Sequence, residues 1–242
     1  MPALRLGALT KALRLGALTK NLDNEFFLTM ISGYERAAAD MGIEIVVGST
    51  PNENSEAEQL AVLEGWLNEG NFNGFAVTPF RATSLNSGLQ QATAAGLPIV
   101  NLDELIPADA REGISLSAQV ASDNVRAGQN AANWVIANVA AGSEVAVIEG
   151  APGTSSSIDR VSGFTEGVTA AAYSVVASQT ANWDRAEAFN VASNILQGPS
   201  TSLATSFRAT PTSRPSLPQT TAWASVQWKP SKPLVSPDRS SS

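Results

Sequence analysis

Four short stretches hold the side chains that could recognise a small molecule. They are Lys20, Asn24, Phe26 and Phe27 in KNLDNEFF, the adjacent Asp103 and Glu104 in NLDE, Arg160, and Trp183 in ANWDR. Together they offer ammonium, amide, carboxylate and guanidinium groups to hydroxyls, and aromatic faces to the C–H side of a ring. That is the inventory a carbohydrate needs. Taken singly, each has a plainer use: Phe26 or Phe27 as core, Asp103 or Arg160 as a surface ion or helix cap. No nucleophile–base pair can be nominated among them. With no Cys and no His, disulfides, thiol nucleophiles, the usual zinc ligands and imidazole acid/base work go together. APGTSS at 151–156 suggests a phosphate loop but lacks the GK[ST] ending, and no GxGxxG follows the first strand. The expectation is a binding protein with no catalytic residue, metal or cofactor.

The elements that must position these groups alternate regularly. Leu13 to Leu18 reads as a short apolar strand followed by the loop TKNLDN, and Phe27, Met30, Ile31, Tyr34, Ala38 and Met41 fall at helical spacing behind it. IEIVVGS is a second strand, rich in β-branched residues as a buried parallel strand should be. The cycle continues with a helix over 55–69, strand GFAVTP, a helix over 84–95, and strand PIVNLDE. After the strand-like SAQVAS it starts again: helix over 124–140, EVAVIEG, helix over 157–171, SVVASQT, helix over 184–196. Repeated βα units make parallel sheets wound with helices on both faces, and ligands sit beyond the carboxyl ends of their strands. The expected architecture is α/β, with two doubly wound lobes joined by a hinge and the second incomplete. The candidate residues fall in the loops at those strand ends, with Arg160 at a helix start.

Composition narrows the partner. The 242 residues are 43% apolar, enough for a core, and carry a formal charge of −7, which argues against the basic face that nucleic acid requires. MPALRLGALT lacks the apolar centre and cleavage signature of a secretory leader, so an exported form is expected to have shed one already.

Two anomalies interrupt the pattern. ALRLGALTK occurs at 3–11 and again at 12–20, which reads as a local duplication and makes residues 1–11 an extra arm. Residues 199–242 hold seven of the thirteen prolines and a single acidic residue, Asp238, a composition that cannot pack. Permitted codons for that tail, read one base earlier, spell AFNVASNILQ again, the same string as 188–197, and continue into a patterned ITAIFAAND stretch. The tail therefore reads as the product of a frame-shifting duplication. The expected organisation is an arm at 1–11, a first lobe at 12–121, a partial second lobe at 122–197 and an aberrant tail, disordered by composition, at 198–242.

The order KNLDNEFF, GYERAAADMGIEI, GFAVTP, PIVNLDE, SDNVRAG, EVAVIEG, the Arg160 helix and ANWDR resembles the periplasmic sugar-binding proteins of the ribose/D-allose-binding type across nearly all of 12–197. The resemblance implies a periplasmic receptor of a sugar ABC transporter that works as a monomer with a membrane permease and closes two lobes on a monosaccharide. It makes Lys20, Asn24 and Phe26 first-lobe contacts and Phe27 a stacking candidate. Asp103 would hold ring hydroxyls in bidentate fashion with Glu104 near it, Arg160 would clamp opposite, and Trp183 would stack on the other ring face. The family also uses an AAND amide, a later aspartate, a hinge glutamine and three hinge crossings. AAND exists here only in the shifted frame, and one crossing, around residues 116–122, is visible, so weakened binding by the chain as written is expected. The ligand-sensing domain of a LacI-type regulator shares the fold and is the alternative, but it carries a helix-turn-helix ahead of the first strand that this sequence does not contain.

Overall fold

Parallel strands form where the apolar, β-branched runs stand. The computed structural model describes residues 13–22, 24–51 and 55–197. The expected arm at 1–11 and tail at 198–242 lie outside the described residues. Strands β1 (Arg14–Asn21), β2 (Glu44–Thr50), β3 (Gly74–Val77), β4 (Ile99–Leu102) and β5 (Ala118–Val120) make one sheet in the order β2-β1-β3-β4-β5, every pairing parallel. Strands β6 (Glu144–Glu149) and β7 (Ser174–Thr180) pair in parallel in a second sheet. Helices α1 (Glu25–Met41), α2 (Glu56–Glu69) and α3 (Asn86–Ala94) alternate with the first sheet's strands. α4 (Asn124–Asn138), α5 (Ser155–Ala170) and α6 (Arg185–Gln197) alternate with those of the second. No helix among the described residues is long and apolar enough to cross a membrane.

Each sheet has its own core. Leu18, Val77 and Ile99 of the first sheet pack with Leu63 and Trp66 of α2, Leu85 and Leu89 at α3, and Phe72 and Phe75. Val145 and Val147 of β6 pack with Ala132 of α4, Phe164 and Val168 of α5, and Tyr173. The α4–α5 contact is closer than side chains permit. A Cβ on Gly128 would stand 2.1 Å from the Arg160 carbonyl oxygen, and one on Gly163 would stand 2.1 Å from that of Val125. The two backbones therefore touch, which fixes the rotation of α5 and with it the direction of Arg160.

Several details differ from the sequence reading. β1 continues through Thr19, Lys20 and Asn21, where a loop was expected, because Asn21 still pairs with Thr50 of β2 beyond a register shift. α5 begins at Ser155 and not at 157. The stripe on α1 fades at its end: Met41 is 67% exposed because it is the last helical residue before Gly42, in the left-handed region at φ 65°, turns the chain away.

Candidate ligand-binding site

The carboxyl ends of β1, β3 and β4 in one sheet and of β6 and β7 in the other carry the candidate side chains. Lys20, near the end of β1, is buried, with its Nζ 3.9 Å from Asp103 Oδ2 and 5.8 and 6.0 Å from the ring centroids of Phe27 and Phe80. An ammonium group taken from water needs such compensation. Asp103 follows β4 with φ 64°, a left-handed conformation that costs a non-glycine residue energy and here turns the chain sharply. Its amide donates to the Val120 carbonyl at 2.9 Å, which holds the turn.

Asn24 caps α1, its Oδ1 accepting the Phe26 N–H at 2.9 Å, which leaves the amide nitrogen as its group for a ligand. Phe26 is 48% exposed, whereas Phe27 is buried beneath it, edge to face at 5.2 Å between centroids. Of the two rings, Phe26 is the one offered to solvent and Phe27 the one that supports Lys20.

Across the gap, Arg160 stands in the second turn of α5. Asn124 at the start of α4 accepts its Nε–H at 2.8 Å, so the guanidinium is aimed from two helices at once. Burial pulls its affinity for a proton below the ordinary arginine range, opposed by the negative charge of Asp103. Asp103 follows β4 of the first sheet, whereas Arg160 stands on α5 beside the second. Trp183 lies in the turn after β7 at φ 63°. A Cβ on Gly150 would meet its indole at 2.2 Å, so the ring rests on bare backbone. The Arg160 guanidinium is 5.7 Å from the indole centroid.

Glu104 is fully buried and already engaged, its Oε1 accepting the Ser155 N–H at 2.5 Å and its Oε2 standing 3.5 Å from Ser156 Oγ. Burial pushes its carboxyl above the usual carboxylate range, partly offset by the Ser155 hydrogen bond and the Lys20 charge.

Several participants escaped the sequence reading. Gln59 of α2 donates from Nε2 to the Thr19 and Thr78 carbonyls at 3.0 and 2.9 Å and accepts the Phe80 N–H at 3.3 Å, tying the ends of β1 and β3 together. Its signal was a polar residue at the buried i−4 position relative to Leu63. Phe80 follows the GFAVTP strand and could have been found by the rule that located the other loops. Tyr34, whose phenol burial and then the charge of Asp103 push up, was read only as part of an apolar stripe. Ser155 and Ser156 lie in APGTSS, which lacks the ending of a phosphate loop, and nothing local marks them as partners of a residue some fifty positions away.

The family described as periplasmic binding protein domain matches residues 15–216. The D-allose-binding periplasmic protein of Escherichia coli strain K12 is 37% identical over 180 residues, covering 73% of this chain and 58% of that protein. The ribose import binding protein RbsB of Bacillus subtilis strain 168 is 30% identical over 177 residues, 73% of this chain and 55% of its own length. This chain thus spans less than two thirds of these relatives. Among solved structures, an ABC transporter periplasmic solute binding protein from Actinobacillus succinogenes with bound D-allose superposes with a TM-score of 0.69 at 29% identity, covering 76% of this chain and 64% of that one. The Caulobacter myo-inositol binding protein bound to myo-inositol gives 0.68 at 31% identity, covering 82% and 63%.

Proposed function

The chain belongs to the periplasmic binding protein domain family, and from that premise we propose that it is the greater part of the substrate-binding component of a sugar ABC transporter, holding a monosaccharide between its two lobes. One observation carries the reading: Lys20 stands 3.9 Å from the Asp103 carboxylate at the end of the first sheet, and the half-buried Arg160 on α5 of the second lobe feels the charge of the same carboxylate. A carboxylate flanked by two cations, with Phe26 and Trp183 as rings nearby, suits a polyol ring whose hydroxyls both donate and accept. Lys20, Asn24 and Phe26 serve the first lobe (12–121), supported by Phe27. Arg160 and Trp183 serve the second (122–197).

The relatives bind allose or ribose by name, which supports an aldose of that size here and an extracytoplasmic site of action. The protein acts as a monomer beside a membrane permease and has no nucleic-acid partner. Each lobe supplies part of the hydrogen bonding, so sugar favours the closed arrangement through that difference alone. Of the further contacts that the resemblance implies, the frame-shifted reading of the tail supplies the AAND amide.

Calorimetric titration of D-allose and D-ribose tests this on the chain as written and on a frame-restored version. Saturable binding is expected in the restored chain, weaker binding in the other. Asp103→Ala in the restored chain should weaken binding by roughly a hundredfold, about 2.7 kcal/mol, because it strands buried charges as well as sugar hydroxyls. The exposed Glu112→Ala should change little. Equal losses from both substitutions, or no saturable heat from either sugar, would remove the reading.

A further inference from the structure

Glu104 sits next to Asp103, yet its contacts run to the other lobe and not into the open gap. We propose that Glu104 is a positioning residue that holds the two lobes together by capping α5 from the opposite lobe.

The first N–H groups of a helix have no partner within it and normally find one in the N-cap side chain. In α5 that local cap is unused. Thr154 makes no side-chain cap hydrogen bond, and its hydroxyl donates backwards to the Ala151 carbonyl at 2.8 Å. The Ser155 N–H is taken instead by Glu104 at 2.5 Å. The exchange is reciprocal, since Leu105 N–H donates to Ser155 Oγ at 3.2 Å. The 3.5 Å approach of Ser156 Oγ to the second carboxylate oxygen adds a weak third link.

The first-lobe end of the latch is rigid. Asn101 Nδ2 donates to the Glu104 carbonyl at 2.7 Å, and the Glu104 N–H donates to Leu102 at 2.8 Å. Two other bridges between the lobes among the described residues lie at the surface. Arg185 and Glu25 approach to 3.7 Å with side chains 72% and 81% exposed, and Arg81 Nε donates to the Pro152 carbonyl at 3.3 Å in an exposed setting. Exposed pairs of this kind contribute little. A carboxylate withdrawn from water and placed at a helix N-terminus is held by stronger, less screened interactions. The latch acts on lobe position and needs no sugar, so its test does not depend on the binding experiment.

Because the chain has no cysteine, spin labels can be placed cleanly at Glu58→Cys and Ala186→Cys. These are exposed positions in the first turns of α2 and α6, on opposite lobes. Double electron–electron resonance without sugar should give one short distance for the otherwise unaltered full chain. Glu104→Ala should move the distribution to longer distances, and Glu104→Gln, which keeps an acceptor for the Ser155 N–H, should restore the short one. Ser155→Pro removes that N–H at the first helical position, where proline is tolerated, and Thr154 at φ −85° and ψ 133° already has the conformation required before proline. It should open the chain as Glu104→Ala does, and the double variant should open it no further. Ser155→Pro carries the test if Glu104→Ala fails to fold. A short distance retained in folded Glu104→Ala or in Ser155→Pro, or a Gln variant as open as the Ala variant, overturns the proposal.

Discussion

Glu104 and Lys20 are both charged and both buried, but their surroundings treat the charge differently. Lys20 has Asp103 and two rings about it. Glu104 has one strong hydrogen bond, the distant help of Lys20 and the repulsion of Asp103, and desolvation outweighs these. A carboxyl raised in the folded state binds protons more readily there than when unfolded, so its contribution is fully present at low pH and is lost as pH rises through the raised value. Thermal melts of the wild type and Glu104→Gln should therefore diverge with pH: the wild type gains on the variant as pH falls from neutral toward the ordinary carboxylate value of 4.5. A constant difference across that range would show that the carboxyl is not perturbed. The structure pairs Lys20 with Asp103 and Arg160 with Trp183, residues the sequence singled out because charged and aromatic side chains at the ends of apolar strands have few structural uses. The division between Phe26 and Phe27 was not, since adjacent aromatics in a first helical turn give no indication of which faces inward. Nor was the difference between Asp103 and Glu104, which depends on a helix that arrives fifty residues later.

The pairing of α4 with α5 sets where Arg160 points, and it depends on missing side chains. A methyl group at Gly163 would have to occupy the space of the Val125 carbonyl, and neither helix backbone can yield as a flexible side chain would. Gly163→Ala is expected to destabilise the fold by about 1–3 kcal/mol in denaturant unfolding, despite alanine's better helix propensity. A stabilised variant would show that the helices do not touch there. The alternation of strand and helix was readable throughout, because short β-branched apolar runs alternate with longer stretches whose apolar residues fall at helical spacing. The boundaries were less so. β1 outran its apolar run because Asn21 pairs across to Thr50. α5 begins two residues early because its first turn is capped across the lobe gap, so Ser155 and Ser156, weak helix formers, are helical by virtue of a distant acceptor.

The two sheets contribute unequally. Five strands carry the first core, whereas β6 and β7 alone form the second sheet among the described residues. The chain spans 58% of the E. coli relative and 55% of the B. subtilis one. This asymmetry bears on the expected titration. Lys20, Asp103, Arg160 and Trp183 are the groups proposed to meet the sugar, and the second lobe holds its share on a sheet of two strands among the described residues. Binding that is weak in the chain as written and tight after frame restoration fits that arrangement; equal tight binding by both would show the added segment to be dispensable.

Capping α5 from the neighbouring lobe makes helix stability and gap width a single variable, so the fold contains its own gauge. A guest small enough to leave the Ser155 amide on its carboxylate is accommodated without local fraying. A bulkier one that wedges the sheets apart uncaps the first turn, and must bring an oxygen of its own to that N–H or bear the loss. On the proposed latch, size discrimination would thus be set by a contact between the lobes.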